Sequence, residues 1–128
     1  MANPNKANGT TWETVVTNYL NECGLGAKRT GSAEAAHGDI HSGEWTHEAK
    51  AEKSIDLPGY LKQIAAAVAA AGRAPWKSAV WVKNRRHGVK DAYVVMSGEN
   101  YRALMIYVSS MEGTLEHVTR TFLEGGNG

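Results

Sequence analysis

Residues 56–75 constrain the fold most. Asp56, Pro58 and Gly59 make a helix start: a carboxylate able to cap free backbone N–H groups, then a proline whose fixed φ suits the first turn. Leu57, Leu61, Ile64, Ala65 and Val68 then share one helical face. Gly72 ends the stripe after about Ala71, and Pro75 prevents its continuation. β-like runs lie on both sides of this helix, at residues 44–51 before it and 78–82 after it. Helix and strand alternate, so the expected class is α/β.

The other segments extend that pattern. Trp12, Val15, Val16, Tyr19, Leu20 and Cys23 form one face of a first helix, which Gly24 and Gly26 end. Thr10 followed by Glu13 reads as a capping box opening it. Short strands are expected at 27–30 and 39–41, with 31–38 a loop and Ser42-Gly43 a hairpin turn. A further strand at 92–96 follows a basic turn, residues 83–90. A third helix opens near Ser97 and runs through Tyr101, Leu104, Met105 and Val108, and 114–123 reads as a weak helix or strand. The order is α-β-β-β-α-β-β-α, a central mixed sheet flanked by helices.

The chain has 128 residues, 42% of them hydrophobic, which fits one domain spanning 1–128 with flexible tails at 1–9 and 124–128. Its formal charge of +1 means that any nucleic-acid binding must come from a local basic face. A single cysteine, Cys23, excludes an intrachain disulfide and fits a reducing, cytoplasmic setting. The polar N-terminus lacks the apolar core of a signal peptide, and the longest apolar run, 64–71, is too short to span a bilayer. No membrane association is expected.

Chemistry concentrates in Gly38-Asp39-Ile40 and Glu48-Ala49-Lys50. Side chains alternate along a strand, so Glu48 and Lys50 share a face, roughly 7 Å apart at Cα. If Asp39 lies on the neighbouring strand, its carboxylate meets that of Glu48. Two such carboxylates repel unless a cation lies between them, and hard oxygen ligands suit Mg²⁺ or Mn²⁺. An ammonium beside that cation can hold a phosphate oxygen or orient a water. Phosphodiester hydrolysis needs a Lewis acid, a positioned water and charge stabilisation on the phosphate.

An Asp, a short gap, then Glu-x-Lys on a hairpin after an N-terminal helix resembles the PD-(D/E)XK nucleases. The likeness is greatest to archaeal-type Holliday junction resolvases and their phage relatives, and it covers about 9–108. Glu13 matches the glutamate of their N-terminal helix, and Arg29, Gly31 and Ser32 match an arginine followed by a Gly-Ser pair. The resemblance implies a restriction-endonuclease-like core. It makes Asp39, Glu48 and the backbone carbonyl of Ala49 the metal ligands, with Glu13 joining them and Lys50 as the catalytic lysine. Arg29 and Ser32 would contact DNA. Gly38 stands where the family often has proline. Some branches carry a glutamine in the next helix, which Gln63 matches, but Ala67 stands where a tyrosine often follows.

Other readings compete for these residues. Glu13 could serve only the helix start. His37, His41 and His47 surround Asp39, but alternation turns His47 away from Glu48, which argues against a zinc site; His41 reads as a solvent or substrate contact. Lys83, Arg85, Arg86, His87 and Lys90 form either a solvated turn or a phosphate-binding surface, to which Lys50, Lys53 and Lys62 would add. Trp76 and Trp81 read as core or interface rather than base-stacking groups.

The expected function is therefore a Mg²⁺-dependent endodeoxyribonuclease, with Mn²⁺ as a substitute, leaving 5′-phosphate ends. Branched DNA, a four-way junction, is the substrate that the resemblance implies. Symmetric cuts in a junction call for a two-fold homodimer, for which the third helix (Tyr101, Leu104, Met105, Tyr107, Val108) offers apolar surface. The alternatives are a related nuclease acting on another DNA, by nicking, flap cutting or restriction-like cleavage, and a non-cleaving DNA-binding module of the same fold.

Overall fold

The computed structural model describes residues 4–31 and 36–125, with side chains described over 11–31 and 36–124. The elements are α1 (Pro4–Asn21), β1 (Ala27–Arg29), β2 (Ile40–Ser42), β3 (Trp45–Lys50), α2 (Leu57–Ala71), β4 (Ser78–Val82), β5 (Tyr93–Val95) and α3 (Gly98–Gly125), in the expected order. A 3-10 turn, Val89–Asp91, precedes β5.

The five strands form one sheet in the order β1-β2-β3-β4-β5. β3 and β4 run parallel and the other neighbouring pairs antiparallel, so the sheet is mixed. A parallel pair needs a crossover connection, and α2 supplies it. The Asp56 carboxylate accepts a hydrogen bond from the Gly59 amide at 3.1 Å and so opens that helix. Gly72, at φ 65°, closes it, its amide reaching the carbonyls of Val68 and Ala69.

Alternation along the strands divides the core between two faces. On one face Trp12, Val16 and Leu20 of α1 pack with Ala27, Ile40 and Ala49. On the other Tyr60, Ile64 and Val68 of α2 pack with Val80 and Val82. The Trp12 indole N–H donates to the Trp81 carbonyl at 3.0 Å, fixing α1 to the sheet. Arg73, just past α2, donates to Thr46 Oγ1 at 2.7 Å and to the Trp45 carbonyl at 2.9 Å. The end of α2 is thereby tied to the β2–β3 hairpin.

Several sequence expectations need correction. α1 opens at Pro4 and runs through Gly9 and Thr10, so Thr10 and Glu13 do not cap its start, and residues 4–9 are helix rather than tail. A proline fits the first turn and offers an earlier start than the Thr-Glu pair. Residues 1–3 and 126–128 lie outside the described residues, as does Ser32. Cys23 is exposed, because the chain has already left the helix at Asn21. Ser42 pairs with Trp45, so the hairpin turn is Gly43-Glu44, with Gly43 at φ 57° as two-residue hairpin loops favour. In α2 the sheet-facing stripe is Tyr60, Ile64, Ala67 and Val68, while Leu57 and Ala65 are exposed. Residues 114–123 belong to α3, one helix of 28 residues. Gly113 does not break it, since one glycine costs a helix only about 1 kcal/mol. Among the described residues no helix is long and apolar enough to cross a membrane.

Candidate active site

The β2–β3 hairpin brings the two central carboxylates together. Ile40 is paired with His47, which sets Asp39 across from Glu48 one step outward. The Asp39 amide donates to the His47 carbonyl at 3.0 Å. The Ala49 amide in turn donates to Asp39 Oδ2 at 2.9 Å, which holds the carboxylate at the strand. Glycine is required just before it. Gly38 has φ +101°, and a Cβ there would come within 2.6 Å of Thr46 Cγ2. Proline, held at φ of about −65°, does not fit this conformation. Its absence before Asp39 is thus a feature of how this hairpin is entered.

Glu48 is 2% exposed. Burial comes first in raising its pKa to about 8, followed by hydrogen bonding to Asp39 and the charge of Asp39. Lys50 opposes the shift, and the charge of Glu13 adds to it. Glu48 therefore keeps its proton at neutral pH, which relieves its repulsion with the neighbouring Asp39 without a cation.

Lys50 follows on the same face. Its ammonium donates to Gln63 Oε1 at 2.6 Å and lies 5.4 Å from the centre of the Tyr60 ring. Gln63 thus belongs to the site. Ala67, at the position where the resembled family often has a tyrosine, is buried in the core. The aromatic partner is Tyr60, on the other side of Gln63 in sequence. Its hydroxyl shares its one proton between Glu52, at 2.9 Å, and the Ser54 carbonyl, at 3.2 Å.

Glu13 approaches from α1. Burial and the nearby Asp39 raise its pKa, while Arg29 lowers it. Arg29 donates to Glu13 Oε2 at 3.0 Å and to Thr14 Oγ1 at 3.2 Å. With the capping box absent, Glu13 is free to serve the site, but here its carboxylate is paired with Arg29. Among the described residues no three His, Cys, Asp or Glu side chains group as metal ligands. The oxygens that could serve a cation here are the carboxylates of Asp39 and Glu48, with the expected Glu13 paired to its arginine.

The expected basic turn adjoins this set. The Lys83 amide donates to the Lys50 carbonyl at 2.8 Å, which joins the turn to the end of β3. Lys83, Arg85 and Arg86 line, with Ala51, an open cleft of about 580 Å³. Arg86 holds φ 70°, which turns the chain at the tip. Lys90 is exposed in the 3-10 turn, outside that lining. His87 lies 3.8 Å from the Asp91 carboxylate, so it faces its own turn.

The histidines separate. His41 Nε2 bonds to the His37 carbonyl at 2.7 Å, a contact that holds the loop entering the site. His47 is buried on the opposite sheet face, where its Nδ1 accepts from the Trp81 indole at 3.1 Å. Burial drives its pKa down to about 4, with the charges of His41 and Arg73 adding to the shift. Trp81 meets Tyr19 edge to face at 6.2 Å. Trp81 is therefore a packing residue.

Comparison with protein-family models, with curated proteins and with solved structures gave no match.

Proposed function

We propose that the protein is a metal-dependent endodeoxyribonuclease with a restriction-endonuclease-like core of the PD-(D/E)XK type. The observation that carries this reading is the buried Glu48 lying across the β2–β3 hairpin from Asp39, on the strand face that Lys50 shares. A proton now relieves that pair, and a divalent cation relieves it better, because it neutralises both carboxylates. The donor set, two carboxylates and a carbonyl oxygen, is hard, which suits Mg²⁺, with Mn²⁺ as a substitute. When bound, the ion would supply Lewis acidity toward a phosphate oxygen and lower the pKa of water.

The chain's own residues carry the remaining roles. Lys50, steered by Gln63, holds a phosphate oxygen or a water in line with phosphorus. Lys83, Arg85 and Arg86 bind flanking phosphates along the cleft beside β3, giving affinity without sequence readout. Arg29 would contact a phosphate, and Glu13, which it now pairs with, would then be one of the residues that hold the metal. In-line displacement with departure of the 3′ oxygen leaves a 5′-phosphate.

Four-way junction DNA is the proposed substrate, on the resemblance of the ordered set Glu13, Arg29, Asp39, Glu48 and Lys50 to junction resolvases. The test compares a four-way junction, a fork, a linear duplex and single strands, each with Mg²⁺ and with EDTA. Paired cuts in opposite strands of the junction, lost in EDTA, are the expected result. Cutting only of linear or single-stranded DNA would transfer the assignment to another DNA substrate. Failure to cut any of them would leave a DNA-binding module.

A further inference from the structure

The outer half of α3 stands in solvent. Ala103, Leu104 and Val108 are half-buried, and Tyr107 packs on Trp76 with ring centroids 5.2 Å apart, but every residue from 109 to 124 is exposed. This exposed stretch is apolar along one line. Met111, Leu115, Val118 and Phe122 follow at alternating spacings of four and three, with exposures of 43, 61, 57 and 80%. Leu104 and Val108 continue the same alternation inward. That spacing is the seam of paired helices, narrower than the stripe of a helix lying on a sheet. A helical stretch this short without tertiary packing is marginal in water.

We propose that residues 109–124 of α3 pair, antiparallel, with the same segment of a second copy of the chain, forming a two-fold dimer. The seam complements itself when read backwards. Met111 then meets Phe122 of the second copy, and Leu115 meets Val118, so each layer joins unlike shapes. The flanking residues agree: Glu112 falls beside Thr119 and Thr114 beside Thr121, and no like charges face each other. A parallel partner would instead run alongside Leu104, Tyr107 and Val108, and Tyr107 is already committed to Trp76 within the protomer. Pairing covers eight large apolar side chains, on the order of 1,000 Å² in all, the size at which specific interfaces begin. The geometry is isologous, as a closed dimer requires. The proposal rests on α3 and is independent of the nuclease reading.

The test uses the full chain. Sedimentation velocity should show a dimer at tens of micromolar, and the double variant Leu115→Lys/Val118→Lys should sediment as a monomer. Both side chains are exposed in the protomer, so the monomeric variant should still unfold cooperatively, with a Tm lower only by what dimerisation adds. Orientation is read by cross-linking in a Cys23→Ser background. Met111→Cys protein mixed with Phe122→Cys protein should form a disulfide-linked dimer on mild oxidation, and neither alone should. Cross-linking of either variant with itself would overturn the antiparallel arrangement. A monomeric wild type, or a dimer that survives the double lysine substitution, would overturn α3 pairing.

Discussion

Gln63 accepts a hydrogen bond from the Lys50 ammonium at 2.6 Å, while the Tyr60 ring lies 5.4 Å from the same nitrogen. A lysine side chain has four rotatable bonds and gives up rotamer freedom when it is held. Two residues one turn apart on α2 hold this one beside Glu48. The Glu48–Lys50 face of β3 is therefore assembled by the crossover helix as well as by the hairpin.

Gln63→Ala should lower kcat about tenfold and leave KM near its wild-type value, since the charge remains but its direction is lost. Lys50→Ala should cost more, on the order of 10²–10³ in kcat, the range for removing one positioned donor to a developing charge. Single-turnover cleavage of the preferred substrate measures both. Wild-type kcat in Gln63→Ala would make that hydrogen bond incidental.

Glu48→Gln should abolish cleavage and at the same time stabilise the metal-free protein at alkaline pH. The folded-state pKa of Glu48 is raised to about 8 from its ordinary value of 4.5. Because it is raised, the stability linked to Glu48 is fully present below about pH 4.5 and falls as pH rises through about 8. The unfolded chain ionises across that window while the folded chain keeps its proton. His47 acts in the opposite sense. Its folded pKa is lowered to about 4 from 6.5, so its contribution is present above about pH 6.5 and is lost as pH falls through 4. The informative quantity is therefore the difference between the wild-type and Glu48→Gln melting curves, in which the His47 contribution cancels. That difference should grow in favour of the variant from pH 5 to pH 9. Mg²⁺ should raise the wild-type Tm more at pH 8.5 than at pH 6, and should not raise that of the variant. A pH-independent difference would mean that Glu48 is ionised throughout.

How much of this was legible in the sequence depended on how local each signal is. Glu48 and Lys50 share a face because strand geometry allows nothing else. The hairpin is local too, but its register is not legible: a Ser42-Gly43 turn would set Asp39 opposite Thr46, and the Gly43-Glu44 turn sets it opposite Glu48. The cap and stop of α2 were equally local. Gln63 matches the glutamine of some family branches, but its aromatic neighbour is Tyr60, which precedes it, rather than a tyrosine at position 67. A side chain reaching across from helix to strand leaves no fixed spacing in the sequence. The start of α1 was misplaced because Thr10 and Glu13 satisfy a capping pattern that Pro4 makes unnecessary. α3 was shortened because Gly113 and the polar residues around it hide a seam that becomes visible only when every third and fourth residue is followed to Phe122.

Replacing Lys83, Arg85 and Arg86 together by Ala should weaken DNA binding and flatten its salt dependence. Each phosphate contact contributes about 0.9 to the slope of log K against log salt on duplex DNA. The triple variant should lose roughly two to three units of slope if all three line the DNA path, as their shared cleft beside Ala51 suggests. Binding to unrelated sequences should weaken equally, since phosphate contacts carry no base information. Fluorescence anisotropy in EDTA over a salt series measures this without cleavage. An unchanged slope would assign the turn to solvent.

Gly38→Ala should damage the site from outside it. The residue has φ +101°, a conformation that costs an L-residue about 1–3 kcal/mol, and the new methyl would stand 2.6 Å from Thr46 Cγ2. Thr46 cannot yield easily, because it is fully buried and its hydroxyl accepts the Arg73 hydrogen bond at 2.7 Å. The strain is therefore expected to pass to the Gly38–Asp39 peptide and pull Asp39 away from the Ala49 amide that holds it at 2.9 Å. Stability should fall by about 2 kcal/mol or more, and Mg²⁺-dependent cleavage should fall further than the folded fraction does. Denaturant titration and cleavage assayed on the same preparation separate these two effects. Activity that simply tracked the folded fraction would mean that Gly38 serves the fold without positioning Asp39. The companion variant Thr46→Ser removes the Cγ2 methyl and keeps the hydroxyl. In the Gly38→Ala background it should recover part of both losses, because it removes the clash while leaving the strained φ in place.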